Sequence, residues 1–298
     1  MANLTATYLN PETVARLENL SLRARLIVEG FIIGLHRSPY HGFSVEFAEH
    51  RAYGAGDEIR HVDWKLFAKT DRYYVKQFEE ETNLKSYLLL DQSRSMSFAS
   101  AGVSKLSYSQ SLAAALAYLM LNQQDAIGLA LFDSQLRSYL APRARASHLN
   151  TLLGQLSRIS PGPETAIAPM LHQLAESIVK RGLIVLISDL FDDPNEVLLG
   201  LKHFRYKRHE VIVFHILDPQ ELSFDYSSRT RFRDMETGQT ITTEPWHIRR
   251  EYQQQMEQFI DTFRTRCRRH NIDYVQITTD RPLDLALSEY LVKRGRVG

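Results

Sequence analysis

Five short apolar runs, set between amphipathic stretches, constrain this chain more than any other feature. They are Ser86–Leu90, Ala126–Phe132, Leu183–Ser188, Val211–Leu217 and Tyr274–Thr278. Each is rich in Leu, Ile and Val and shows little alternation of apolar and polar residues, the pattern of strands covered on both faces. Helices are expected between them, over 105–122, 147–157, 167–180, 195–206, 247–270 and 283–293. In the fifth of these, Ile248, Tyr252, Met256, Phe259, Ile260, Phe263 and Cys267 recur three and four residues apart and make one apolar stripe. Strand alternating with helix predicts an α/β fold: a doubly wound, mostly parallel sheet of Rossmann-type order with helices on both faces. Arg137–Leu140 adds a short strand beside the one before it. Thr230–Met235 and Thr240–Glu244 flank Glu236-Thr237-Gly238-Gln239 and read as a β-hairpin inserted within 224–246.

The rhythm starts only at residue 85. Residues 1–84 are therefore expected to form an N-terminal segment of helices and short β structure, and 85–298 the main domain. Asn10-Pro11-Glu12 marks a helix start, with Asn as cap and Pro at the first helical position, and the helix is expected over 11–30. Glu46–Lys85 is far richer in charge than the 24% of the whole chain. It also keeps Tyr53, Trp64, Phe67, Tyr73, Tyr74 and Phe78, so its composition is not that of a disordered tract.

Charge excludes one class of function. With 36 basic and 35 acidic residues the formal net charge is +1, so no whole-molecule field draws the chain to nucleic acid or to an anionic membrane. Arg264, Arg266, Arg268, Arg269 and His270 make a basic helix end without an aromatic platform, which reads as a solvated face favoured by the helix dipole. The apolar run Leu112–Leu121 is shorter than the ~20 residues a membrane span needs, and the first residues lack a basic-then-apolar leader. A cytoplasmic protein with neither membrane nor nucleic-acid partner is expected. The single cysteine, Cys267, rules out an internal disulfide and a Cys-rich zinc site.

Candidate chemistry sits where strands end. The first main-domain strand runs into Asp91-Gln92-Ser93-Arg94-Ser95, and the strand at 183–188 ends in Asp189. Between them the loop Ser160-Pro161-Gly162-Pro163-Glu164-Thr165 precedes a helix. Mg²⁺ takes six hard oxygens and needs only one or two carboxylates among them. Two Asp, two Ser and one Thr suit that demand and leave room for an acid group from another molecule. In the strand order 3-2-1-4-5-6 the strands carrying Asp91 and Asp189 are neighbours, at the crevice where such sheets bind ligands. Asp91, Ser93, Ser95, Thr165 and Asp189 together resemble the metal-ion-dependent adhesion site of von Willebrand factor A domains. Glu164, where that family often has Gly, and Asp192 and Asp193, close behind Asp189, depart from its pattern and bear on charge at the metal.

Upstream, Gly34-Leu35-His36-Arg37-Ser38, Gly42–Phe47, Arg51–Trp64 and Lys76–Glu81 feed into Leu88–Met96. This arrangement resembles the bacterial family named domain of unknown function 58, closely over 30–190. The resemblance implies a von Willebrand factor A-like domain that binds Mg²⁺, with Mn²⁺ and Ca²⁺ as alternatives. It also implies a non-enzymatic, chaperone-like adaptor whose partners are a carboxylate-bearing protein and a MoxR-type AAA+ ATPase. Gly54–Trp64 reads as a turn held by Gly54 and Gly56, with Arg60, Asp57 and Asp63 in ion pairs and Trp64 as anchor; the alternative makes Arg60, Asp63 and Trp64 partner-binding residues, since Trp and Arg anchor interfaces. Two other readings stay open: a Mg²⁺-dependent phosphatase using Asp91 as nucleophile, and a structural domain with a degenerate metal site. Ser93 stands where the phosphatase reading requires a general acid, and a hydroxyl cannot serve as one at neutral pH.

Overall fold

A computed structural model describes residues 11–15, 19–37, 50–52, 74–76, 85–162, 166–234, 238–284 and 287. The chain divides into two compact units, one formed by residues 38–83 and the other by the segments before and after them. In the smaller unit, β1 (His50–Ala52) pairs antiparallel with β2 (Tyr74–Lys76). Arg60, Asp63 and Trp64 lie outside the described residues.

The larger unit is built on six strands: β3 (Lys85–Asp91), β4 (Ala126–Phe132), β5 (Leu136–Arg143), β6 (Leu183–Ser188), β7 (Glu210–Leu217) and β10 (Asp273–Thr278). Their order is β10-β7-β6-β3-β4-β5. Counted within this sheet, that is the expected 3-2-1-4-5-6 arrangement. All pairings are parallel except β4 with β5. The fold is thus α/β and doubly wound, on a mostly parallel sheet. Strand β5 is longer than expected, and its burial alternates along its length because it forms an edge.

Successive residues of the central strands enter two separate cores. Leu88 and Leu90 of β3 face one core with Ile127, Leu129, Val185 and Ile187; Leu89 faces the other with Ala130, Phe132, Ile184 and Leu186. Helices α3 (Lys105–Asn122) and α4 (Ala146–Ser157) cover the first face, while α5 (Ile167–Ser177), α6 (Pro194–Tyr206) and α8 (Pro245–Arg269) cover the second. Both sides of every central strand are therefore dry, which explains the absence of alternation in its sequence.

The first core also includes Val14 of α1 (Pro11–Ala15) and Leu20, Ala24, Ile27 and Val28 of α2 (Leu20–Arg37), which corrects the expected boundary at residue 84. The reason lies in α3. Its Leu112–Ala117 stretch is fully buried, and a helix apolar all round needs cover on both sides. The sheet provides one side, and α2 packs against α3 as well. The single helix expected over 11–30 is two: Asn19 Oδ1 accepts the Ser21 and Leu22 N–H groups at 2.9 and 3.2 Å and caps a new helix there.

The hairpin of β8 (Thr230–Arg233) and β9 (Thr240–Thr243) lies where expected. A short helix unread in the sequence, α7 (Pro219–Ser223), precedes it. Most of the helix expected over 283–293 falls outside the described residues.

Candidate metal centre

Four strands end in an aspartate at the same edge of the sheet. Asp91 closes β3, Asp133 follows β4, Asp189 follows β6 and Asp218 follows β7, and all four are fully buried. Sequence reading found Asp91 and Asp189 and missed the other two, although the same signal, an apolar run ending in Asp, marks Ala130-Leu131-Phe132-Asp133 and His215-Ile216-Leu217-Asp218.

Parallel pairing sets the geometry of the first pair. Leu90 lies opposite Ile187, which brings Asp91 level with Ser188 and sets Asp189 one residue beyond. The Ser188 hydroxyl donates to Asp91 Oδ2 at 2.7 Å, and the Ser93 N–H donates to Asp91 Oδ1 at 2.9 Å in an Asx turn. That turn starts a one-turn 3₁₀ helix, Ser95–Ser97, which folds the loop back and brings the Ser93 and Ser95 hydroxyl oxygens 3.0 Å apart. Ser93 is buried, Ser95 half-buried and Arg94 exposed, so the loop runs from the sheet edge to the surface.

Among the described residues, Asp91 accepts from two neutral donors, the Ser188 hydroxyl and the Ser93 N–H, and has no cationic side chain in ion-pair contact. Burial, followed by the nearby charge of Asp189, lifts its carboxyl to about 7 against the opposing pull of Ser188 and Ser93. Asp189 is balanced differently. Its Oδ2 meets the Lys105 ammonium at 2.8 Å, and its Oδ1 accepts the Phe191 N–H at 3.3 Å. Its carbonyl faces Nε2 of His215 at 2.8 Å, while the other ring nitrogen lies 2.5 Å from the Tyr274 hydroxyl. Burial holds His215 down to about 4, so the imidazole is neutral and donates from Nε2. Immediately after Asp189 the backbone turns through Leu190 at φ 57°, a left-handed conformation costing about 1 kcal/mol for a non-glycine residue. Leu190 is fully buried, and the Ser188 hydroxyl accepts its N–H at 2.9 Å, which holds the turn.

Of the five candidate ligands, the structure brings together Asp91, Ser93, Ser95 and Asp189; Thr165 lies outside the described residues. The start of its loop is fixed, however. The Gly162 N–H donates to the Gln92 carbonyl at 2.7 Å, directly beside Asp91. Only glycine fits there, because a Cβ would come within 2.6 Å of Asp133 Cγ. Asp133 is itself pinned by Arg137 Nε at 2.7 Å and the Gln135 N–H at 2.9 Å. Burial works to raise its carboxyl, but these donors and Gln92 hold it below the usual range.

Asp192 and Asp193, expected to alter charge at the metal, are engaged as caps. Asp192 Oδ2 accepts the Ile167 N–H at 2.9 Å at the start of α5, and Asp193 Oδ1 accepts the Asn195 N–H at 2.7 Å at the start of α6. At the far end of α8, Arg264 binds Asp261 and Gln276, and Arg266 reaches Asn195. Cys267 is buried, and burial pushes its thiol up to about 12, far from nucleophilic character.

The donor set suits a small hard cation. Two oxygens ~2.1 Å from an octahedral ion lie about 3.0 Å apart when adjacent, and the Ser93 and Ser95 hydroxyls have that separation. Among the described residues, no three His, Cys, Asp or Glu side chains converge as a metal site, so any ion here would rest on hydroxyls as much as on carboxylates.

The family model described as "Protein of unknown function DUF58" matches residues 49–259. The chain belongs to the DUF58 family. The match continues beyond the loops that follow β3 and β6, through the hairpin and into α8. Among curated relatives, the uncharacterized protein Rv1480 of Mycobacterium tuberculosis is 26% identical over 232 residues, covering 77% of this chain and 73% of its own. Among solved structures, an aerotolerance-related membrane protein from Bacteroides fragilis is 19% identical with TM-score 0.48, over 72% of this chain and 100% of its own. The SpRpn10 VWA domain is 12% identical with TM-score 0.40, over 69% of this chain and 94% of its own. In this DUF58 chain no helix among the described residues is long and apolar enough to cross a membrane.

Proposed function

We propose that this DUF58 chain is a non-enzymatic protein-binding adaptor that holds Mg²⁺ through Asp91, Ser93, Ser95, Thr165 and Asp189 and captures a carboxylate of a partner protein. The observation that carries this reading is Asp91: a fully buried carboxylate without a cationic side-chain partner among the described residues, beside two hydroxyls 3.0 Å apart. A bound divalent cation would supply the missing positive charge and a Lewis-acidic position for an incoming acid group. The chain's own residues do the rest. Ser188 and the Ser93 N–H fix the Asp91 carboxylate, and the 3₁₀ turn presents Ser95 to the surface. Five donors, only two of them charged, leave a Mg²⁺ shell short of six oxygens, so a carboxylate from outside completes both its number and its charge. Arg94, exposed between the two serines, adds attraction for an acidic partner at the rim.

The phosphatase reading is the weaker one. Both Asp91 oxygens accept hydrogen bonds, and the residue two positions on offers a hydroxyl already paired with Ser95. The adaptor is read as cytoplasmic, with a MoxR-type AAA+ ATPase as the partner class the family resemblance implies. The test is capture of proteins on the immobilised chain in Mg²⁺ and in chelator. Retention of an AAA+ ATPase or an acidic client in Mg²⁺ only, lost in Asp91→Ala, supports the reading. Identical capture in both buffers refutes it, and Mg²⁺-dependent phosphatase turnover lost in Asp91→Ala favours the enzyme.

A further inference from the structure

Lys105 occupies an unfavourable place. It is the first residue of α3, after the Ser104 cap, where the positive end of a helix disfavours a cation, and its side chain is fully buried. Its ammonium meets Asp189 Oδ2 at 2.8 Å, Glu221 Oε1 at 2.6 Å and the Phe191 ring, whose centroid is 4.7 Å away, with the Phe98 ring farther off at 6.0 Å. Glu221 is fixed in turn. Its Oε2 accepts the Asp218 N–H at 2.8 Å in the capping box of α7, and Asp218 also holds Ser100 of the loop that leads back to Lys105. The ammonium is thus clamped between a carboxylate of the metal centre and one outside it.

We infer that Lys105 is a built-in counter-cation of the centre: it competes with the divalent ion for Asp189 and so sets the metal affinity. This rests on the proposed metal site. The ammonium takes one Asp189 oxygen outright and places a like charge beside any bound cation, which weakens binding. Glu221 moderates the effect by drawing the ammonium the other way. A cation serving the fold alone would leave metal affinity unchanged or, if lost with the local structure, make it weaker when removed.

Titration of MgCl₂ followed by calorimetry tests this, with the thermal midpoint in chelator and in Mg²⁺ as a second readout. Lys105→Met is expected to bind Mg²⁺ about tenfold or more tighter than the unaltered chain. It should also gain a larger rise in midpoint from Mg²⁺, because the metal then balances carboxylates left without a partner. Glu221→Gln should bind more weakly than the unaltered chain. Should Lys105→Met fail to fold, Lys105→Met/Glu221→Gln removes one of the unpaired carboxylates and is expected to bind more tightly than Glu221→Gln. Equal or weaker affinity after loss of the lysine overturns the inference. Asp91→Asn separates the two levels of the argument. If the unaltered chain binds Mg²⁺ through Asp91 and the lysine variants merely match it, only the inference falls. If no variant binds Mg²⁺, both the site and the inference fall.

Discussion

Substituting Asp91 by Asn removes one charge from a buried pair while keeping nearly the same shape. The Asn carbonyl can still accept the Ser93 N–H, and its amide can turn to the Ser188 oxygen. The effect on stability follows from ionisation. Asp91 is lifted from 3.8 to about 7 by burial and by Asp189. Between those values the folded chain holds a proton that the unfolded chain releases, so the Asp91 contribution falls as pH rises and is lowest above pH 7. At about 1.4 kcal/mol per unit, the metal-free chain carries an order of 4 kcal/mol of strain at pH 8 that is absent at pH 3. His215 slopes the opposite way over much of the same window, so the wild-type curve alone does not isolate Asp91. The difference between wild type and Asp91→Asn does. Urea unfolding in chelator at pH 4, 6 and 8 should show the variant gaining on wild type by a few kcal/mol across the series. Adding Mg²⁺ at a hundred times its Kd should then stabilise wild type by about 2.7 kcal/mol and the variant hardly at all. A difference that stays flat with pH would show that Asp91 meets a cation of the protein itself, and the reasoning would fail.

Two further outcomes are expected. Gly162→Ala forces a methyl to within 2.6 Å of Asp133 Cγ; it should destabilise the fold by about 1–3 kcal/mol and weaken Mg²⁺ binding by displacing the loop that leads to Thr165, both read by thermal melts with and without metal. His215, held down to about 4 by burial, stays neutral while the unfolded chain takes up a proton below pH 6.5, so its contribution is full above that pH and is lost as pH falls toward 4. Replacing it by Gln should remove an acid-side slope of about 3 kcal/mol from the pH dependence of unfolding.

Much of the framework could be read from residue order, and the reasons are physical. The strands at 88–90, 126–132 and 183–188 contact apolar groups on both sides, so their sequences are continuously apolar and their order follows from the winding of βα units. Asp91 and Asp189 were readable because a buried strand that ends in a carboxylate places it at the crevice. Lys105 was not. A lysine after Ser104 reads as an exposed first-turn residue, and only the tertiary approach of Asp189 and Glu221 gives it a buried place. Ser188 was hidden for the same reason, since its role as donor to Asp91 depends on strand register. The placement of α2 on α3 was hidden because an Ala-rich run shows that a helix is buried without showing what covers it.

The central claim is that hydroxyls and carboxylates from separate loops hold one divalent ion. Calorimetric titration of MgCl₂ into the wild-type chain and into Ser93→Ala/Ser95→Ala tests it most directly, because the double variant removes two donors and no charge. The account predicts one site per chain in wild type and none detectable in the variant. Equal binding in both, or none in wild type, would contradict it.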